Sequence, residues 1–157
     1  MHEAIAREIL AANAYMTLAT ADESGMPWAS PVWFAAHEYR ELFWMSRPEA
    51  RHSRNIAARP QVAIVVFDSN VRVGAGQAVY MNAVAGQLGA DDLERGIAAF
   101  ARREAAQGLS QTTVDDVTGN AEHRLYRAEI SEHWILDPTG RDGGPGKIRD
   151  ERVPVEP

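Results

Sequence analysis

The sequence predicts a mainly β (α+β) domain: a six-stranded antiparallel barrel with peripheral helices. Three observations carry this. Short runs rich in β-branched and aromatic residues recur at Tyr15 to Thr20, Trp28 to Ala36, Leu42 to Met45, Val62 to Phe67, Ala78 to Leu88 and Arg124 to Leu136. The first three are joined by turns too short for a crossover helix, so they must pair antiparallel. No GxGxxG or GxxxxGK stretch follows a strand, which argues against the doubly wound dinucleotide and nucleoside-triphosphate folds. A single curled sheet that closes its edges satisfies all three.

Residues 3 to 13 read as a helix with Ile5, Ile9 and Ala12 on one side. DESGMP then turns the first strand into the second, and HEYRE turns the second into the third, giving a meander. A short helix is expected between the third and fourth strands. Past the glycine-bearing VRVGAGQ comes the long run from Ala78 to Leu88. Asp91 and Asp92 are placed to cap a surface helix, in which Leu93, Ile97, Phe100 and Ala101 recur at helical spacing up to Gly108. SQTTVDDVTGNAEH reads as a polar loop with one helical turn, where Asp115 and Asp116 serve as caps. Arg124 to Ile130 and His133 to Leu136 then close the sheet as a hairpin or a bent strand. DPTGRDGGPGK opens a tail, residues 139–157, expected to be flexible or to order as an arm against a partner.

At 157 residues the chain fits a single domain, 1–157, large enough to bury roughly two thirds of its unfolded surface. Cysteine is absent, which excludes disulfides, thiolate chemistry and cysteine zinc sites. MHEAIAREIL has neither a basic leader nor a long apolar run, and no stretch approaches the ~18 apolar residues that span a bilayer. A cytoplasmic protein without membrane contact is expected. The net charge of -6 and pI near 5.3 argue against nucleic acid, whose backbone demands a broad basic surface.

Against that acidic background, MSRPEARHSRNIAARP concentrates Arg47, Arg51, Arg54 and Arg59 with His52 and Asn55. Ser46 as N-cap, Glu49 three residues on and Pro48 in the first turn predict a helix beginning near Pro48. Ala50, Ser53, Ile56 and Ala57 would face inward, with Arg51 and Asn55 on an outer face. Two readings stand: an arginine face in water, or an anion site at which helix N-H groups and guanidinium forks meet a phosphomonoester.

Elsewhere the chemistry is sparse. His37, His123 and His133 are scattered without HExxH or paired spacing, so no metal site is expected. Ser30, Ser46 and Ser53 lack a nucleophile-elbow context. Trp28, Trp33, Trp44 and Trp134 are read first as core or interface residues, because their area drives burial. No catalytic side chain is assigned.

The order YMTLAT, turn, ASPVWFAAHEYRELFWMS, EARHSRNIAARP, QVAIVVFD resembles the flavin-binding split-barrel family of the pyridoxamine 5'-phosphate oxidase type, over roughly residues 3 to 137. The resemblance implies a homodimer holding two FMN molecules at the subunit interface, and a small-molecule substrate. It also implies that Ser30, Pro31, Val32 and Trp33 run beneath the isoalloxazine ring. Met45 and Ser46 would line the ribityl and phosphate region, and Arg51 and His52 would bind the phosphate. Gln77 falls near a glutamine that hydrogen-bonds the flavin edge, one residue out of register, and Trp134 and Arg152 would reach a neighbouring flavin.

The chain also departs from that pattern. Ser30 and Ala35 stand where the oxidases carry an arginine and a lysine, and KIRDER lacks the histidine of their C-terminal cluster. The resemblance therefore implies an FMN-dependent oxidoreductase of unidentified substrate. A deazaflavin-dependent reductase of the same fold, or a flavin carrier without turnover, are its alternatives.

Overall fold

The computed structural model describes residues 1–72, 75–137 and 151–156. Its frame is one curled antiparallel sheet, a half-barrel, with three α-helices around it. The strands are β1 (Tyr15–Ala21), β2 (Pro27–Trp33), β3 (Ala35–His37), β4 (Glu41–Ser46), β5 (Gln61–Phe67), β6 (Ala78–Gln87), β7 (Arg124–Leu136) and β8 (Arg152–Val155). They lie in the order β2-β1-β5-β6-β7-β4-β3, with β8 added to β7. The helices are α1 (His2–Ala12), α2 (Arg51–Ala58) and α3 (Ala90–Ala106), and Val114–Asp116 forms a 3-10 turn. No helix among the described residues is long and apolar enough to cross a membrane.

The expected class holds, but the described sheet has eight strands rather than six. The run from Trp28 breaks at Phe34, where the chain leaves β1 and β3 begins pairing with β4 instead. Residues 152 to 155, expected in a loose tail, form β8 against His133 to Leu136. Most of DPTGRDGGPGK lies outside the described residues.

Alternation builds the core. Met16, Leu18, Val62, Ile64, Val66, Val79, Met81, Ala83 and Ala85 point to the interior along β1, β5 and β6, joined there by Trp44 and Tyr126. The Trp44 and Tyr126 rings stack at 5.8 Å. Helix α1 closes one side with Ala6 and Leu10, flanked by Ile5 and Ile9, while Ala12 is exposed.

β7 is one bent strand, not a hairpin. Asn82 pairs with Glu132 and Ala83 with Ile130, so Ser131 is an extra residue, and its hydroxyl donates to the Asn82 carbonyl at 3.0 Å.

A second core lies beneath α3, where Phe43, Leu88, Ala99, Phe100, Val117 and Leu125 pack together. Gly96 permits this approach: a Cβ there would stand 2.6 Å from Leu88 Cδ1 and 2.9 Å from Leu125 Cδ2. Gly89, rather than Asp91 or Asp92, is the N-cap residue of α3. Asp92 instead bonds Arg95 and Arg127, which also hold the buried Glu41 carboxylate and tie the helix to β4 and β7. Thr113, rather than Asp115 or Asp116, is the N-cap residue of the 3-10 turn, and Asp116 closes a capping box by accepting hydrogen bonds from the Thr113 backbone N-H and hydroxyl.

Candidate functional site

Helix α2 begins at Arg51, not near Pro48. Ala50 is its N-cap residue and no side chain caps it. The expected box between Ser46 and Glu49 is not made, because Ser46 still belongs to β4 and its hydroxyl lies 2.7 Å from Nε2 of His52. The strand-to-helix corner is thus held by a serine–histidine hydrogen bond across six residues. Half-burial lowers the His52 pKa from its ordinary value, which favours a neutral imidazole near pH 7.

Asn55 was expected beside Arg51 on an outer face, and it is buried. Its Nδ2 donates to Thr20 Oγ1 at 2.9 Å, locking α2 onto β1. A helix packed on two sides by β1 and β2 has a wider buried face than an amphipathic count suggests. Ser53 and Ile56 are buried as expected, whereas Ala57 is exposed.

Arg51 is exposed and lies over the Trp28 ring, 4.4 Å from its centroid, a cation–π contact. Trp28 is itself held, its indole N-H donating to Ser30 Oγ at 2.8 Å. Arg51 forms no ion pair among the described residues, whereas its neighbour Arg47 pairs with Glu122. Arg54 spends a donor on the Glu49 carbonyl and Arg59 on the Glu23 carbonyl. Across the cleft, hydrogen bonds from Ser24 and Met26 hold the Asp22 carboxyl below its usual range, and Arg51 is the least of its influences.

The residues singled out from sequence fall into four places. Ser30, Ser46, Arg51 and His52 converge on the corner of β2, β4 and α2, joined by Trp28 and Asn55, which sequence reasoning did not assign to the site. Pro31 lies exposed on the same edge strand, and β2 pairs only with β1, leaving its other edge unpaired among the described strands. Val32 is buried in the main core.

Trp33 and Met45 instead pack on the α3 core. The Trp33 ring meets Phe100 edge to face at 4.8 Å. Ala35, where the oxidases would carry a cation, is buried in the same cluster.

Trp134 and Arg152 lie on the outer face of the sheet, where Arg152 sits 4.5 Å over the Tyr80 ring and Trp134 pairs with Tyr80 across β6 and β7. Gln77 immediately precedes β6, at the end of the β5–β6 pair opposite to α2. Within one chain, then, Trp134, Arg152 and Gln77 do not meet the Arg51 corner.

A family profile described as pyridoxamine 5'-phosphate oxidase matches residues 1–132. The chain belongs to this family. No curated protein matches it. Among solved structures, the heme storage protein HutZ from Vibrio cholerae is similar at 26% identity and TM-score 0.61, with 80% of this chain and 87% of that one covered. A heme binding protein from Mycobacterium smegmatis is similar at 22% identity and TM-score 0.69, with 95% of this chain covered. The chain spans only 55% of that protein's length. An FAD-binding protein from Mesorhizobium loti is similar at 17% identity and TM-score 0.65, with 86% of this chain and 94% of that one covered. At these identities the last two likenesses concern the fold alone. The similar structures thus include heme-binding and FAD-binding proteins.

Proposed function

We propose that this chain binds FMN and acts as an oxidoreductase on a small-molecule substrate, as a homodimer with its cofactor sites between subunits. The observation that carries the reading is Arg51, held over Trp28 and free of any ion pair among the described residues, while Arg47 beside it is neutralised by Glu122. A guanidinium held over a ring and free of any ion pair among the described residues suits a phosphomonoester when it sits beside the first-turn N-H groups of an eight-residue helix and a serine–histidine pair. A salt-bridged Arg51 would have favoured a cofactor-free scaffold.

The same corner fits the rest of the group. Arg51, Ser46 and His52 would hold the phosphate, and the unpaired edge of β2 from Ser30 to Trp33 would offer backbone groups to the ring. Pro31 can contribute only a carbonyl. FMN, when bound, supplies the hydride or electron transfer, and the protein binds, orients and shields it.

Dimerisation is supported by the outer face of the sheet. Thr17, Val65, Tyr80 and Trp134 align across β1, β5, β6 and β7, with exposed Tyr15, Phe67 and Val84 nearby. These exposed and half-buried apolar side chains suit a second copy, which would bring Trp134 and Arg152 toward the partner's site.

The test is the absorption spectrum of the purified protein, with bands near ~450 nm expected for FMN and near ~420 nm for a deazaflavin. Arg51→Ala should weaken FMN more than riboflavin, which lacks the phosphate. A colourless protein that binds neither added flavin nor deazaflavin would overturn the reading. The HutZ likeness favours a second reading, heme binding, which the same spectrum would reveal. Turnover with reduced nicotinamide and a panel of acceptors separates an enzyme from a carrier.

A further inference from the structure

Trp28 and Arg51 meet from different elements, one on the edge strand β2 and the other at the start of α2. Two hydrogen bonds hold the strand residue in place. Its indole N-H donates to Ser30 Oγ at 2.8 Å, and its carbonyl accepts from Thr20 Oγ1 at 3.4 Å. Thr20 Oγ1 in turn accepts from Asn55 Nδ2 at 2.9 Å, and Asn55 lies one helical turn beyond Arg51. Ring and guanidinium are therefore registered twice, by their own cation–π contact at the surface and by the Asn55–Thr20–Trp28 relay behind it.

Arg51 has other partners within its cleft, which Asp22 and Glu23 also line. An exposed arginine beside carboxylates commonly pairs with one, as Arg47 does with Glu122. Arg51 does not. Its guanidinium forms no ion pair or hydrogen bond among the described residues, while Asp22 Oδ1 is taken by the Ser24 N-H and hydroxyl and by the Met26 N-H. A contact with a ring consumes none of the guanidinium's hydrogen-bonding capacity, so its fork of donors stays open for a ligand.

We propose that Trp28 is a positioning residue, which keeps the Arg51 guanidinium from the Asp22 carboxylate and available to a phosphate, with Ser30 as the anchor of its ring. The role rests on the part of the flavin reading that gives Arg51 a phosphate, and is independent of the ring system attached to that phosphate.

Trp28 is 40% exposed on an edge strand, so its variants should fold with the wild-type melting temperature. Inorganic phosphate, titrated at constant ionic strength and followed by NMR, is a probe that needs no flavin. The wild type should bind it with a Kd of about 10 mM or tighter, with shifts at the Trp28 indole N-H and the backbone amides of Arg51 and His52. In Arg51→Ala the indole shift should vanish. Trp28→Leu should weaken phosphate about 2- to 5-fold, the scale of an exposed cation–π contact, whereas Trp28→Phe keeps a ring and should retain most of the affinity. Ser30→Ala leaves the ring without its anchor and should lose affinity in the same direction, by less.

No saturable shift in the wild type, full affinity in Trp28→Leu, or equal losses in Trp28→Leu and Trp28→Phe would overturn the proposal. If Trp28→Leu fails to fold, Ser30→Ala decides: weakened phosphate binding upholds the role and wild-type affinity overturns it. Trp28-dependent phosphate binding in a protein that takes up no flavin would uphold the role and sink the flavin reading. FMN binding equally tight in the wild type and Trp28→Leu would do the reverse.

Discussion

The Ser46 hydroxyl and His52 Nε2 stand 2.7 Å apart, and this contact joins the end of β4 to the first turn of α2. With its imidazole neutral near pH 7, His52 meets an arriving phosphate without a charge of its own, and binding should draw a proton onto it. FMN affinity should therefore rise as pH falls from about neutral through the ordinary histidine pKa of about 6.5 and on toward the lowered value of the free protein. His52→Gln should flatten that rise. Titrations at several pH values, with riboflavin as control, measure it; an unchanged slope in the variant would remove His52 from the phosphate site.

Acid stability follows from His133. Burial lowers its pKa, against a weaker opposing pull from the Tyr39 backbone. The unfolded chain then binds the proton more readily, so the contribution is complete above pH ~6.5 and is lost as pH falls through the lowered value. Each such group adds at most about 1.4 kcal/mol per pH unit. Urea unfolding from pH 7 to 5 should show a shallower loss for His133→Leu than for the wild type.

Gly96 is the closest approach of α3 to the sheet. Gly96→Val adds atoms where Leu88 and Leu125 already stand within 3 Å of a Cβ, and overpacking of this kind costs about 1–3 kcal/mol. A fall in melting temperature is expected, with the near-ultraviolet signal of the Trp33–Phe100 contact reduced. Gly86→Ala, which meets open space, is the matched control.

Asn55→Ala should cost about 1–2 kcal/mol, since it strips the buried Thr20 hydroxyl of its donor. Hydrogen exchange in β1 and the first turn of α2 should quicken together. If only α2 responds, the Asn55–Thr20 bond is not what couples them.

Much of this was legible in the sequence because it rests on local chemistry. Strand alternation at Met16 and Leu18, or at Val62, Ile64 and Val66, gives both the element and its buried face. The Arg51–His52 corner could be located by its place after β4. What was not legible depends on neighbours distant in sequence. Ser46 looks like a cap until His52 competes for its hydroxyl, and Asn55 looks exposed until β1 brings Thr20 to it. The packing of Trp33 and Met45 against α3 likewise depends on a helix that comes much later in the chain. The pairing of β8 with β7 had no signal in RVPV beyond its alternation.

The extra residue at Ser131 sets more than the bend of β7. Before it the even-numbered side chains of the strand, Tyr126 and Ala128, face the interior; after it the odd-numbered ones, His133 and Ile135, do. Were Ser131 taken into the ladder as an ordinary paired residue, uniform alternation would drive Trp134 into the barrel and expel His133 to its surface, whereas bulged out it leaves both as they are. The bulging of one residue therefore decides which aromatic ring the protein shows to the outside and which ionisable ring it hides.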